Sequence, residues 1–318
     1  MTARRKIITA KHGDIKELRK LLWHSPVRVI KELPLVNAIV VEIPEGSEMS
    51  VLTRGLEEQI NVEDDLEFKL CWLFPWFMPP TPNQSDLPAE ETKLSFPLPV
   101  QRRADWGLRR IGAPEVWNKL KNRRVKVGII DTGIVSNHPD LQGNFKEGIS
   151  TLDDNSSYID DNGHGTHVAG IIGANRSRGM VGVNPYTDFY VVKAFDRRGS
   201  GKLSDIIEGI DWLIRRQVNV INMSFSTPDT NSLLERVIRE AYLRGTILVA
   251  AAGNDGGTNS VKYPAKYDEV MAVTATDRDD HLADFSSSGP EVDFCAPGDN
   301  IRSTWLGGGY EVKSGTSF

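Results

Sequence analysis

Four residues of this 318-residue chain have side chains suited to acyl transfer: Asp131, His164, Asn254 and Ser317, in that order. A serine hydroxyl is a poor nucleophile until a base within hydrogen-bond reach takes its proton and a third group orients that base. Ser317, His164 and Asp131 meet that requirement by residue type. Asp131 stands where the apolar run "RVKVGII" (124–130) meets a glycine turn; taken alone, such an aspartate is more often a turn or cap residue. His164 lies in "DDNGHGTHVAGIIGA" between Gly163 and Gly165. Flanking glycines let the backbone approach closely and leave the imidazole accessible, and histidine is the side chain best suited to moving a proton near neutral pH. Asn254, in "VAAAGNDG", ends a strand of small residues, where its amide can donate to a developing oxyanion. The competing reading there is an Asn-Asp-Gly turn. Ser317 ends the run "SGTSF".

A different chemistry competes for the histidines. His164 and His167 are three residues apart and share a helical face, so a metal site is an alternative, with Asp160 and Asp161 as available carboxylates. An HxxH pair with no further ligand nearby is a weak metal signal.

Several elements have to position these residues. From about residue 104, apolar runs at 124–130, 189–195, 218–224, 246–252 and 269–275 alternate with amphipathic segments at 202–217 and 231–245. Strands apolar on both faces, separated by helices, predict an α/β fold with a doubly wound, mostly parallel sheet covered on both sides. Ligands bind beyond the carboxyl ends of such strands, where Asp131, Asn222–Ser224 and Asn254 fall. Residues 1–70 read as a separate small α+β unit. Strands at 6–10, 27–33, 36–43 and 61–70, with helices at 14–23 and 47–59, give the βαββαβ order of a ferredoxin-like domain. Between the two units, 71–103 is a linker. Seven of the 17 prolines lie between Pro75 and Pro99, and proline excludes helix and interior strand alike.

The composition is that of a soluble globular protein, 39% hydrophobic and 25% charged. A net charge of −5 gives no electrostatic reason to expect nucleic acid or an anionic membrane as partner. No apolar run approaches the ~20 residues that span a bilayer, and the N-terminus carries no signal-peptide pattern. Two cysteines, Cys71 and Cys295, in a chain this long suggest reduced thiols and a cytoplasmic location.

Taken together, "DTGI", "NGHGTHVAG", "AAAGN" and "SGTS", supported by "HPDL", "GVNP", "INMSF" and "FCAPG", strongly resemble the subtilisin-like serine proteases over about 105–318. The resemblance implies an endopeptidase acting on polypeptides through an acyl-enzyme. Ser317 would be the nucleophile, His164 the base, Asp131 its orienting group and Asn254 an oxyanion donor. It implies that Ser224, Phe225 and Ser226 on one side, and Ala251, Ala252 and Gly253 on the other, flank the substrate. Phe225-Ser226 departs from the usual Leu-Gly, so specificity does not carry over. It also implies that 1–70 is an inhibitory, folding-assisting propeptide, with maturation cleavage between 70 and 104. No cofactor is needed for the chemistry. Asp140 in "HPDL" matches a structural calcium ligand, although the companion loop "ANRSRGMVGV" is one residue short and carries Arg176 and Arg178. In this family a buried helix follows the serine. The chain ends at Phe318, so the expectation is a truncated zymogen that is inactive as it stands. The alternative is a non-catalytic pseudoprotease whose N-terminal domain acts as inhibitor or folding assistant.

Overall fold

The computed structural model describes residues 4–23, 25, 27–43, 55–73, 104–120, 123–153 and 156–318. Most of the helix expected at 47–59, and the linker beyond residue 73, lie outside the described residues.

The N-terminal unit contains β1 (Arg4–Ala10), a helix Ile15–Leu22, β2 (Arg28–Leu33), β3 (Ala38–Ile43) and β4 (Ile60–Asp64). Asp14 starts the helix by accepting from the backbone N–H groups of Lys16 and Glu17. The strands form an antiparallel sheet in the order β2-β3-β1-β4, the order of a split-βαβ unit. Its side chains alternate as a two-residue period requires. Ile8, Ile39 and Val41 pack on Leu18 and Leu22 of the helix. Ile7, Ala38 and Val40 face the other way and join the core of the larger domain.

The single strand expected at 61–70 is in fact two. After β4 the chain turns at Asp65, whose buried carboxylate accepts from the backbone N–H and hydroxyl of Ser204, both at 2.8 Å. A new strand, β5 (Glu67–Leu70), then leaves the small sheet altogether.

The remaining strands are β6 (Val125–Asp131), β7 (Phe145–Ser150), β8 (Thr187–Lys193), β9 (Ser200–Lys202), β10 (Val220–Met223) and β11 (Phe225–Ser226). They continue with β12 (Ile247–Ala251), β13 (Met271–Thr276), β14 (Phe294–Pro297), β15 (Ile301–Thr304) and β16 (Tyr310–Lys313). Seven of them make one sheet, β14-β13-β12-β10-β6-β8-β7, with every neighbouring pair parallel. Val127 and Ile129 of central β6 pack on Val168 and Ala169 of the His164–Gly173 helix. Ile130 faces the opposite side, in a cluster with Ile206 and Ile210 of the Leu203–Arg215 helix and Val237 of the Ser232–Leu243 helix. This is the doubly wound α/β architecture expected from the apolar runs. Strands β7 and β8 lie on one side of β6, and β10, β12, β13 and β14 on the other. The carboxyl end of β6 is therefore a topological switch point, where such folds bind ligands.

Candidate active site

Asp131 is the last residue of β6 and has no exposed surface. His164 is the first residue of the helix that packs on that strand. Its Nδ1 lies 2.7 and 2.9 Å from the two Asp131 carboxylate oxygens, with both side chains fully buried. The close fit depends on Gly165: a Cβ there would stand 2.2 Å from the Gly133 carbonyl oxygen and 3.1 Å from Asp131. Asp160 anchors the start of the helix. Its carboxylate accepts from the backbone N–H of Asn162, Gly163 and Thr166 and from the hydroxyls of Thr132 and Thr166. One buried carboxylate thus ties the histidine helix to the turn after Asp131.

That arrangement engages the side chains that the metal alternative would need. His164 Nδ1 is held by Asp131, Asp160 is consumed by five donors, and Asp161 pairs with Lys193. His167 Nε2 meets the Glu311 carbonyl at 3.1 Å. Burial, and then the neighbouring His164, push the His167 pKa down to about 3. Among the described residues the only grouping spaced for a metal is Asp277, Asp279 and His281, elsewhere on the molecule.

Asp140 does not fit the calcium expectation either. Its two oxygens accept from the backbone N–H groups of Arg178, Gly179 and Met180 and from the Tyr310 hydroxyl, which is 2.6 Å away. The Arg176 guanidinium of the same loop rests over the rings of Trp117 and Tyr186, 4.9 and 5.8 Å from their centres. The donors around Asp140 are those of a hydrogen-bonded loop.

Ser317 and Asn254 come together through Thr316. The Asn254 side-chain oxygen accepts from the Thr316 N–H (3.0 Å) and hydroxyl (2.8 Å), while its buried Nδ2 has no partner. The Ser317 hydroxyl donates to the Ser224 carbonyl at 3.1 Å, and His164 Nε2 is left without a hydrogen bond. The rings of Phe318 and Trp72 lie 5.2 and 5.5 Å from the imidazole centre. Asp131 and His164 are therefore engaged with each other, whereas the serine hydroxyl is turned aside.

A strand of the chain's own N-terminal part runs through this place. β5 lies between β11 and β9, antiparallel to both: Leu70 pairs with Phe225 and Lys69 with Ser226, while Phe68 pairs with Gly201 and Glu67 with Lys202. Past its end, the Cys71 N–H donates to the Ser224 carbonyl at 3.1 Å, and the Leu73 N–H to the Ser314 carbonyl at 3.0 Å. Between those bonds the Cys71 carbonyl accepts from the Ser317 N–H at 3.1 Å. Phe68 is fully buried, edge-on to Phe225 at 5.8 Å. The Cys71 thiol is buried as well, and its desolvation pushes its pKa up to about 11. The charges nearest it include the ion-paired Lys262 and Asp255.

Ser224, Phe225 and Ser226, expected beside a substrate, flank this strand of the chain itself. Ala251, Ala252 and Gly253 do not bond to it. The backbone groups of Ala252 and Gly253 pair with Val273, Lys262, Ser287 and Thr316 of their own domain. The opposite flank is β9, which the sequence reading passed over. Its signal was the glycine–serine run "RRGSGK" directly after an apolar strand. Asp160, read only as a spare metal ligand, is the helix anchor instead.

Comparison with known proteins agrees with this geometry. The family described as the Subtilase family matches residues 122–318. The chain is 46% identical over 214 residues to the minor extracellular protease Epr of Bacillus subtilis, covering 67% of this chain and 33% of Epr. It is 37% identical over 298 residues to M-protease of Shouchella clausii, covering 90% of this chain and 75% of that protein. Against subtilisin Savinase of Lederbergia lenta the figures are 44% over 214 residues, 67% and 78%. The chain thus spans about a third of the length of one relative and about three-quarters of the other two.

Proposed function

Since this chain belongs to the subtilase family, we propose that it is a serine endopeptidase held as a zymogen by its own residues 67–73. One observation carries the reading: a strand of the chain lies in the cleft with a peptide carbonyl on the Ser317 N–H, beside a buried Asp131–His164 pair. Strand addition of this kind gives affinity through backbone bonds and leaves specificity to pockets for alternate side chains. Polypeptides are the substrate class that such a cleft accepts.

In the chemistry, Ser317 Oγ leaves the Ser224 carbonyl and turns to His164 Nε2, which takes its proton. Asp131 fixes the imidazole tautomer and stabilises its charged form. The Ser317 N–H and the unpartnered Asn254 Nδ2 are the donors for the oxyanion.

A second reading, a non-catalytic chain whose N-terminal domain serves as inhibitor or folding assistant, is favoured by the serine hydroxyl resting on Ser224 while Phe318 lies against the imidazole. A small serine-directed phosphonate separates the two. Under the first reading it attaches to Ser317, and His164→Ala slows the reaction roughly 10²–10⁴-fold. A folded chain that takes no label at Ser317 supports the second. With the cleft filled and the hydroxyl turned aside, the chain in the described state hydrolyses no added peptide.

A further inference from the structure

We infer that Cys71–Trp72 is the peptide bond this chain presents to its own Ser317, so that maturation separates residues 1–71 from 72–318. The inference rests on the endopeptidase reading and adds to it the bond that is cut.

The argument is one of register. Within a strand paired on both sides, only one carbonyl can stand at the nucleophile, and the hydrogen bonds identify it. Glu67, Phe68 and Lys69 are paired with β9, and Lys69 and Leu70 with β11. The Cys71 and Leu73 N–H groups are held by the carbonyls of Ser224 and Ser314. These two bonds bracket one peptide unit, whose carbonyl accepts from the Ser317 N–H. The serine hydroxyl sits on the same Ser224 carbonyl that holds the Cys71 N–H, and the backbone N–H of the same serine holds the Cys71 carbonyl. Gly315 confirms how close the approach is. A Cβ there would lie 2.6 Å from the Cys71 carbonyl oxygen, 2.8 Å from Trp72 Cα and 3.3 Å from Asn254 Nδ2. The carbonyl and the free amide donor therefore border the same small space. On the leaving side, the Trp72 ring stands 5.5 Å from the imidazole of His164, 6.1 Å from the Trp305 ring and 5.6 Å from the Lys313 ammonium.

In the step itself, Ser317 Oγ bonds to the Cys71 carbonyl carbon as its proton passes to His164. The C–N bond to Trp72 breaks, and the Trp72 nitrogen takes the proton from His164 as a new amine. Water then attacks the Cys71–Ser317 ester, gives up a proton through His164, and releases Cys71 as a carboxylate and Ser317 as the free hydroxyl.

The test is the intact mass and new N-terminal sequence of the purified full chain, alongside its Ser317→Ala variant. Expected are two fragments ending at Cys71 and starting at Trp72, absent from the variant. A Ser317-dependent cut at any other bond overturns the assignment and leaves the endopeptidase reading standing. So does an uncut chain whose Ser317 still takes the phosphonate. An uncut chain without label overturns both. A measurement independent of catalysis uses the Ser317→Ala chain. There a thiol reagent should modify exposed Cys295 and leave buried Cys71 at least tenfold slower; equal rates would show that the segment is not seated and would overturn the inference.

Discussion

His167 is a neutral imidazole held in a place that cannot accept its charge. Its pKa is pushed down to about 3 by burial first and by His164 second, while the unfolded chain titrates near ~6.5. Between those values the unfolded state binds the extra proton, so stability falls as pH falls from 6.5 towards 3, by up to about 1.4 kcal/mol per pH unit. Above pH 6.5 this residue contributes no slope. A His167→Gln chain should show a flatter dependence of its urea midpoint between pH 6.5 and 4, and an unchanged slope would mean that other groups dominate acid unfolding. At the same scale, the groups of the proposed triad divide unevenly: Asp131 and His164 are joined, whereas the Ser317 hydroxyl donates to the Ser224 carbonyl.

Strand β5 and the loop Ser314–Ser317 make the cleft together. Gly315 leaves room for the Cys71 carbonyl, and any side chain there meets backbone atoms at 2.6 and 2.8 Å. Gly315→Ala should therefore expel residues 71–72 while the rest of the fold stands. The expected signs are Cys71 labelling at a rate close to that of Cys295, loss of the cut at Cys71–Trp72, and a melting temperature within a few degrees of the parent. A protected Cys71 in that variant would count against the seating described. Two acidic residues just ahead of β5 hold the strand's approach. Asp65 caps the Leu203–Arg215 helix at Ser204, and Glu63 accepts from Asn231 and Ser232 at the start of the Ser232–Leu243 helix. Carboxylates at two helix N-termini satisfy backbone or side-chain donors and complement the helix dipoles.

At the scale of the whole molecule, the two domains share a core and a buried ionic knot. Ile7, Leu33, Ala38 and Val40 of the small sheet belong to the same apolar cluster as Ile206, Ile210 and Leu233. Lys31 reaches across to Asp205 at 2.6 Å, to Glu208 at 2.7 Å and to the Thr151 carbonyl. Asp205 is almost wholly buried, and burial pushes its pKa up to about 6 against the pull of Lys31. Removing one partner of a buried pair costs at most about 3–5 kcal/mol, and here Arg5, 3.5 Å from Asp205, remains as a second cation. Lys31→Met should lower the unfolding free energy measured in urea by up to that amount, and adding Asp205→Asn should restore part of it. A double variant no better than the single would show that the pair is not coupled. Among the described residues no helix is long and apolar enough to cross a membrane.

The α/β class was legible in the chain, and the residues of the proposed triad stand out in it, because both signals are local. Asp131 follows an apolar run, His164 lies in a glycine-framed helix start, and the strands of a buried parallel sheet are apolar on both faces. What the sequence left open depended on contacts across hundreds of residues. Residues 61–70 have the composition of one strand, and only the pull of Ser204 on Asp65 and the open edges of β9 and β11 divide it. Asp160 and Asp140 look like spare carboxylates until the backbone N–H groups that converge on them are seen. A carboxylate's ligand is set by whichever donors folding brings within 3 Å, and side-chain type carries no record of them. The same holds for Cys71. In the chain it is one of two thiols beside a proline-rich linker, and tertiary structure alone brings its carbonyl to Ser317, because backbone pairing to two strands far along the chain fixes the register to a single residue.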